Sequence, residues 1–417
     1  MIVGCIFPIS LPFHGGAEQY EYRLAKGLEY LGHDVHVLSG LAEDPLKENG
    51  TWNITRKSEG YTPVTWLSLT AESNHLSNLE SILGNHEFIE FALTWLEQIQ
   101  PDLVILGSGF NISTAFYVRE LIFAIKATGI PIGMTHHDTG DFIDKLINQK
   151  FKSSSFRWDD LVDAVTDYLR AENLENPGEL SKLFAIQSPT CLRTDFIITN
   201  SFWSAKLADP YKLCSPFVLH PLMFSKHFGG SKPISEVQTN HFRLSDVLMI
   251  NPQGRKNPEL MAYVINNCPE LSFRLLRGGW GNSFETFLPL IKKSKAFESG
   301  NIELVDYAAD MHQVYRNTRL LFFPSFVEGY GMAAVEPMLH SVPVVSSNYP
   351  PIVEATGDGA FSLCPYRDSP RRWVDGIYEV LDHASYWGNQ AGIRALELYE
   401  RERKELQDLN LWLVDQL

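Results

Sequence analysis

IVGCIFPISLPFHGGAEQYEYRLAKGLEYLGHDVHVL, residues 2–38, reads as a strand, a glycine turn, a helix and a second strand in that order. Residues 2–9 form a continuous apolar run, the pattern of a strand covered on both faces. In residues 17–31, Tyr20, Leu24, Leu28 and Leu31 recur at spacings of four, four and three, which is one apolar stripe of a helix. Gly32 supplies the stop, and residues 35–38 are again apolar. This is one βαβ unit, and it recurs. Phe88, Phe91, Trp95 and Ile99 make the next helical stripe, Pro101 ends it, and residues 103–106 are a buried strand. A helix over 113–127 follows, then short strands at 131–134 and 196–199. Strands that alternate with helices imply parallel pairing, because parallel neighbours need a crossover of a dozen or more residues.

A second series carries apolar strands at 247–250, 273–276, 302–305, 320–323 and 342–345. Between the two series, FGGSKPISEVQT (228–239) is rich in Gly, Ser and Pro and reads as a linker. The expected domains are therefore 1–230, with a helical insertion at 139–190, and 231–390. A terminal helix over 391–417 could cross back to the first domain. At 417 residues the chain exceeds what one hydrophobic core supports, in agreement with two.

The net charge of −15 argues against a nucleic-acid partner, whose phosphates are met by Lys and Arg, and against broad adhesion to anionic lipid. It leaves room for peripheral contact at the inner face of a membrane through a local patch. The five cysteines show no metal-ligand spacing and read as reduced thiols. Met1 leads into an apolar run without a basic segment or cleavage site, and no run approaches the ~20 residues needed to span a bilayer. A cytoplasmic enzyme is expected.

The chemistry concentrates in PSFVEGYGMAAVEPM, residues 324–338, between a buried strand and a helix. Ligands of open α/β sheets bind beyond the carboxyl ends of strands, where helix N-termini offer free N–H groups to anions. Gly329 and Gly331 would let backbone come close to a phosphate or sugar. Glu328 on the loop and Glu336 two to three helical turns on could border one hydroxyl-rich ligand, since carboxylates accept several hydrogen bonds. An isolated pair of this kind is ordinarily a cap and a solvated helix residue; the Pro-Ser and Gly-Tyr-Gly context favours the ligand. NPQGRKNP (251–258) places Arg255 and Lys256 after another strand and before a Pro-started helix, a cationic loop suited to a diphosphate.

These motifs resemble glycosyltransferase family 4, retaining enzymes of the GT-B fold, in which two Rossmann-like doubly wound domains face a central cleft. The signature is two glutamates separated by seven residues within a Pro-Ser, Glu-Gly-Tyr-Gly context, as Glu328 and Glu336 are. The resemblance implies that Glu336 holds the donor ribose and Glu328 contacts the sugar ring. Tyr330, Gly331, Met332 and Ala333 would line the sugar and phosphate, with Gly279, in the turn RGGWG (277–281), near the nucleotide. Lys256 matches the family's diphosphate-binding Lys. The family's Arg is displaced, and Arg255 is its candidate substitute. Gly15 and Gly16, after His14, match the glycine loop where donor meets acceptor. Either His136 or His137 matches a His beside the transferring sugar; the sequence does not choose between them. Departures are Ser341 and Pro337 for Gly and Ala, and Asn348-Tyr349-Pro350-Pro351 for a glycine-containing turn.

The expected function is transfer of a hexose from a nucleotide-diphosphate sugar to the hydroxyl of a sugar, glycan or lipid-linked acceptor, in polysaccharide or glycoconjugate synthesis. No cofactor and no metal are expected, the nucleotide-sugar being a substrate. The displaced Arg leaves a degenerate nucleotide-sugar or glycan scaffold as the alternative, and a disaccharide phosphorylase as a third reading. A nicotinamide dehydrogenase lacks its GxGxxG after the first strand, a Walker-type NTPase its GxxxxGK[ST], and a serine hydrolase its GxSxG elbow.

Overall fold

The computed structural model describes residues 1–7, 16–40, 53–59, 62–68, 85–107, 115–137, 194–208, 215–223, 245–277, 283–306, 308 and 310–417. The expected insertion and linker, with His14, Gly15 and Gly279, lie outside them.

The first series contains β1 (Ile2–Phe7), α1 (Gly16–Tyr30), β2 (Asp34–Gly40), β3 (Asn53–Glu59), β4 (Thr62–Ser68), α2 (Asn85–Ile99), β5 (Leu103–Leu106), α3 (Ala115–Ala127), β6 (Ile132–His136), β7 (Phe196–Thr199), α4 (Phe202–Ala208) and β8 (Phe217–Val218). Its sheet runs β3-β4-β2-β1-β5-β6-β7-β8, parallel at every pairing except antiparallel β3–β4. The apolar runs that suggested strands are the buried centre: Val3, Ile6, Leu103, Val104, Ile105 and Leu106 are all fully enclosed. In α1 the stripe of Tyr20, Leu24 and Leu28 faces that core.

The second series contains β9 (Ser245–Ile250), α5 (Pro258–Asn267), β10 (Phe273–Leu276), α6 (Ser283–Ile291), α7 (Lys295–Glu298), β11 (Ile302–Val305), α8 (Met311–Arg316), β12 (Thr318–Phe323), α9 (Met332–Val335), β13 (Val344–Ser347), α10 (Pro350–Thr356), β14 (Ala360–Leu363), α11 (Pro370–Asp382) and α12 (Ala384–Val414). The sheet order is β11-β10-β9-β12-β13-β14, and every adjacent pair is parallel. This is the doubly wound dinucleotide-fold order, which reverses between β9 and β12 and opens a crevice at their carboxyl ends.

Helix α12 begins at Ala384, earlier than residue 391, and its 31 residues extend roughly 46 Å. Ala391, Ala395 and Leu398 enter the core of the second sheet; Leu406, Leu409 and Leu413 enter that of the first. One helix thus closes both domains. Among the described residues no helix is long and apolar enough to cross a membrane.

Candidate active site

The loops at the carboxyl ends of β9 and β12 are bound to each other. After β9 the chain makes a 3-10 turn, Gly254–Lys256, and Asn257 then turns left-handed (φ 61°) to cap α5, its Oδ1 accepting from the N–H of Leu260 at 3.3 Å. Pro258 occupies the first helical position, where no N–H is needed. Asn257 Nδ2 donates to the carbonyl of Pro324 at 3.4 Å, and the N–H of Phe326 donates to the carbonyl of Arg255 at 2.8 Å. These bonds hold Lys256 beside the 324–331 loop, where its ammonium pairs with the carboxylate of Glu328 and lies 5.0 Å from the centre of the Phe323 ring. Both side chains of the pair are more than four-fifths buried. Arg255, by contrast, is exposed.

Gly329 faces the other domain. A Cβ built there would stand 2.0 Å from the carbonyl oxygen of His137 and 2.9 Å from Asn200 Nδ2, so only glycine allows this approach. Asn200 Nδ2 donates to the same His137 carbonyl at 3.0 Å. The carboxyl ends of β6 and β7 in the first sheet therefore meet the 324–331 loop of the second. Gly331 is left-handed (φ 94°) and caps α9, and Met332 and Ala333 follow half-buried. Tyr330 points away into the core: its hydroxyl accepts from Arg401 of α12, and burial pushes the phenol up to about 12 against the pull of Arg401 and Arg394.

Glu336 does not sit two to three turns along a helix. Helix α9 ends at Val335, and residues 336–340 form a 3-10 turn, because Pro337 has no N–H to continue the α-helical ladder. Glu336 is half-buried, and its Oε2 accepts from the hydroxyl of Tyr315 at 2.6 Å. Ser341, where glycine was expected, takes a left-handed φ of 53° and closes that turn.

His136 ends β6, paired in register with Thr199, and His137 follows; both rings are buried. His137 Nε2 lies 3.4 Å from Glu21 Oε1, and Tyr20 stands edge-on to its ring at 4.3 Å. Glu21 is enclosed on α1, also 3.5 Å from the Thr135 hydroxyl. Gly16, at the start of α1, is exposed. Arg277 bonds Asp306 at 2.7 Å and Glu285 at 3.0 Å.

The structure thus gathers Lys256, Glu328, Gly329 and His137 at one junction, while Glu336 lies on the turn that continues Gly331, Met332 and Ala333. Tyr330 points elsewhere, and Arg255 is exposed. Sequence reading missed Asn200, Glu21 and Tyr315. Only Glu21 left a signal, a carboxylate on the buried face of the α1 stripe.

Two parallel doubly wound domains joined at their strand ends define the GT-B class, and the comparisons agree. Over the whole chain the structure resembles sucrose-phosphate synthase of Thermosynechococcus elongatus (TM-score 0.67, 13% identity, 99% of this chain and 98% of that one). It also resembles Anabaena HepE in complex with UDP-glucose (0.62, 14%, 99% of each chain) and WaaG, a glycosyltransferase of lipopolysaccharide biosynthesis (0.63, 14%, 97% of this chain and 98% of that one). No curated protein matches in sequence. Residues 14–207 match the family described as Glycosyltransferase Family 4, and residues 254–383 match Glycosyl transferases group 1. The chain belongs to these family 4, group 1 glycosyltransferases.

Proposed function

We propose that this chain transfers a hexose from a nucleotide-diphosphate donor, bound by the second domain, to an acceptor hydroxyl presented by the first, with retention at the anomeric carbon. The observation that carries this reading is the junction itself: a cation held on a carboxylate, Lys256 on Glu328, beside a glycine loop in contact with His137 of the facing sheet. A lysine ammonium has three donors, so Lys256 can keep Glu328 and still bind a phosphate oxygen.

In the proposed reaction the bond from the anomeric carbon to the diphosphate oxygen breaks, and the negative charge gathers on the diphosphate. Lys256 and the first N–H groups of α9, which have no intrahelical acceptors, stabilise that charge, so the reading needs no metal. The acceptor hydroxyl attacks from the same face and gives its proton to the departing phosphate, leaving a retained glycoside and a nucleoside diphosphate. Glu336 would take the ribose hydroxyls and Glu328 the sugar ring, with His137 on the acceptor side. Apposition of the domains excludes water from the donor. We infer a cytoplasmic enzyme of polysaccharide or glycoconjugate synthesis, acting on a sugar, glycan or lipid-linked acceptor, with peripheral contact at the inner membrane face.

The test is turnover. NMR of the chain with UDP-, GDP- and ADP-sugars and a set of simple glycoside acceptors should show one donor consumed, with nucleoside diphosphate and a product of unchanged anomeric configuration released. Lys256→Ala should lower kcat by about 100-fold or more, the usual cost of removing one preorganised donor to a developing oxyanion. Wild-type turnover in Lys256→Ala, or an inverted product, would overturn the mechanism.

A further inference from the structure

Resting on that reading, we propose that Tyr315 is a positioning residue for donor binding: its hydroxyl fixes the Glu336 carboxylate so that one oxygen is committed to the protein and the other is presented to the nucleotide ribose.

Tyr315 is on α8, which packs against the 336–340 turn, and it is among the most deeply enclosed large side chains of the molecule, 1% exposed. Its hydroxyl donates to Glu336 Oε2 at 2.6 Å, whereas Glu336 itself is only half-buried. The phenol cannot drift: its ring lies tilted against His340, centres 6.1 Å apart, and His340 Nε2 is 2.9 Å from His312 Nδ1 on the same helix as Tyr315. Nor does it lose its proton, since burial, and then the charge of Glu336, raise the phenol well above its ordinary value.

The consequence for Glu336 is geometric. A short 3-10 turn gives a side chain little support, and an unrestrained glutamate loses rotamer freedom on binding a ligand. With Oε2 held by a fixed donor, the plane of the carboxylate is set before the ligand arrives. Two adjacent hydroxyls, as on a ribose, can then be accepted without that cost. Preorganising one rotamer-rich side chain is worth about three- to tenfold in affinity.

Tyr315→Phe keeps the ring and its packing and deletes only the hydroxyl. Thermal midpoints of wild type and variant serve as the folding control, and UDP, GDP and ADP are titrated by calorimetry alongside Glu336→Ala and the double variant. The expected result is that the preferred nucleotide binds Tyr315→Phe about three- to tenfold more weakly, that donor KM rises with kcat within twofold, and that Tyr315→Phe adds nothing in the Glu336→Ala background. If Glu336→Ala leaves nucleotide affinity unchanged, or if no nucleotide binds wild type, the donor site itself is misassigned and the inference falls with it. If Glu336→Ala weakens binding but Tyr315→Phe does not, if it weakens binding equally without Glu336, or if kcat falls with KM constant, the role of Tyr315 is overturned and the donor site stands.

Discussion

Gly329 is a glycine because a backbone oxygen of the facing domain occupies the space a side chain would take. Its partner is the His137 carbonyl, anchored on the end of β6 and bonded to Asn200, so neither side can give way as the end of a flexible side chain would. Gly329→Ala is expected to pry the two strand edges apart. Stability should fall by ~1–3 kcal/mol, the range for overpacking, and donor turnover should fall with it. Denaturant melts and turnover assays check this, and wild-type values in both would show that the junction is not as close as described. At this scale the sequence was informative where chemistry is local. Glu328, Gly331 and Lys256 stand in motifs whose residue types have few other uses together. Tyr315 and Asn200 could not be read, because each matters only through a partner 21 and 63 residues away. Tyr330 shows the converse: a residue inside the motif whose hydroxyl is turned to Arg401 on the last helix.

Among elements, the central strands were legible because a parallel strand buried on both faces is written as an unbroken apolar run. Strands β3 (NITRKSE) and β14 (AFSL) were not. Strand β3 lies at the edge of its sheet and carries polar residues that blunt further pairing, and β14, at the edge of the second, is four residues long with its two middle ones partly exposed. The amino ends of the second sheet are tied by Asp246, whose carboxylate accepts from Ser272 N and Oγ, both at 2.9 Å, and from Arg319 at 2.6 Å, joining β9 to the approaches of β10 and to β12. Burial pushes its pKa up, but the Ser272 N–H, the Arg319 guanidinium and the Ser272 hydroxyl outweigh this and hold it below the ordinary value. A carboxylate depressed by folding contributes stability that is present above the unfolded value, ~3.9, and is lost as pH falls through the folded one. Asp246→Asn should therefore be less stable than wild type at neutral pH, and the gap should narrow below about pH 4. Denaturation midpoints from pH 7 to 3 measure this; a gap independent of pH would mean that the charge contributes nothing. Turnover at neutral pH should be unaffected, since the loops proposed to hold the donor are at the opposite ends of the strands.

For the whole molecule the decisive object is α12, whose two halves enter different cores, together with the polar contacts around it. His220, beyond β8 and 3% exposed, has Glu405 of α12 at 2.6 Å from one ring nitrogen and Glu354 of α10 at 2.5 Å from the other. Glu354 also accepts from the N–H of Phe202 at 2.7 Å, and Glu402 from that of Met223 at 2.6 Å. His220 therefore joins the edge of the first sheet to α10 of the second and to the half of α12 that packs on the first. Removing its ring takes one hydrogen-bond partner from each of two carboxylates that are themselves mostly enclosed. His220→Ala should cost ~1–3 kcal/mol, the range for taking a hydrogen-bond partner from buried polar groups, and it should split unfolding into two transitions as the domains uncouple. A single calorimetric transition with an unchanged midpoint would show that α12 alone holds the domains together. None of this network was legible beforehand, because it is assembled from residues 202, 220, 354 and 405, and only the packed molecule brings them to one point.

Lys256 and Glu328 at the junction, with Glu336 on the turn beyond it, are proposed to bind a nucleotide-sugar. The most direct measurement is a thermal-shift panel of UDP, GDP and ADP and their common sugar conjugates on wild type, Lys256→Ala and Glu336→Ala. At 100 times its dissociation constant the right ligand should stabilise the fold by ~2.7 kcal/mol, with one base preferred and the effect lost in both variants. Equal stabilisation of wild type and both variants would contradict the assignment of the site, and no stabilisation by any of them would mean a GT-B scaffold that has given up its donor.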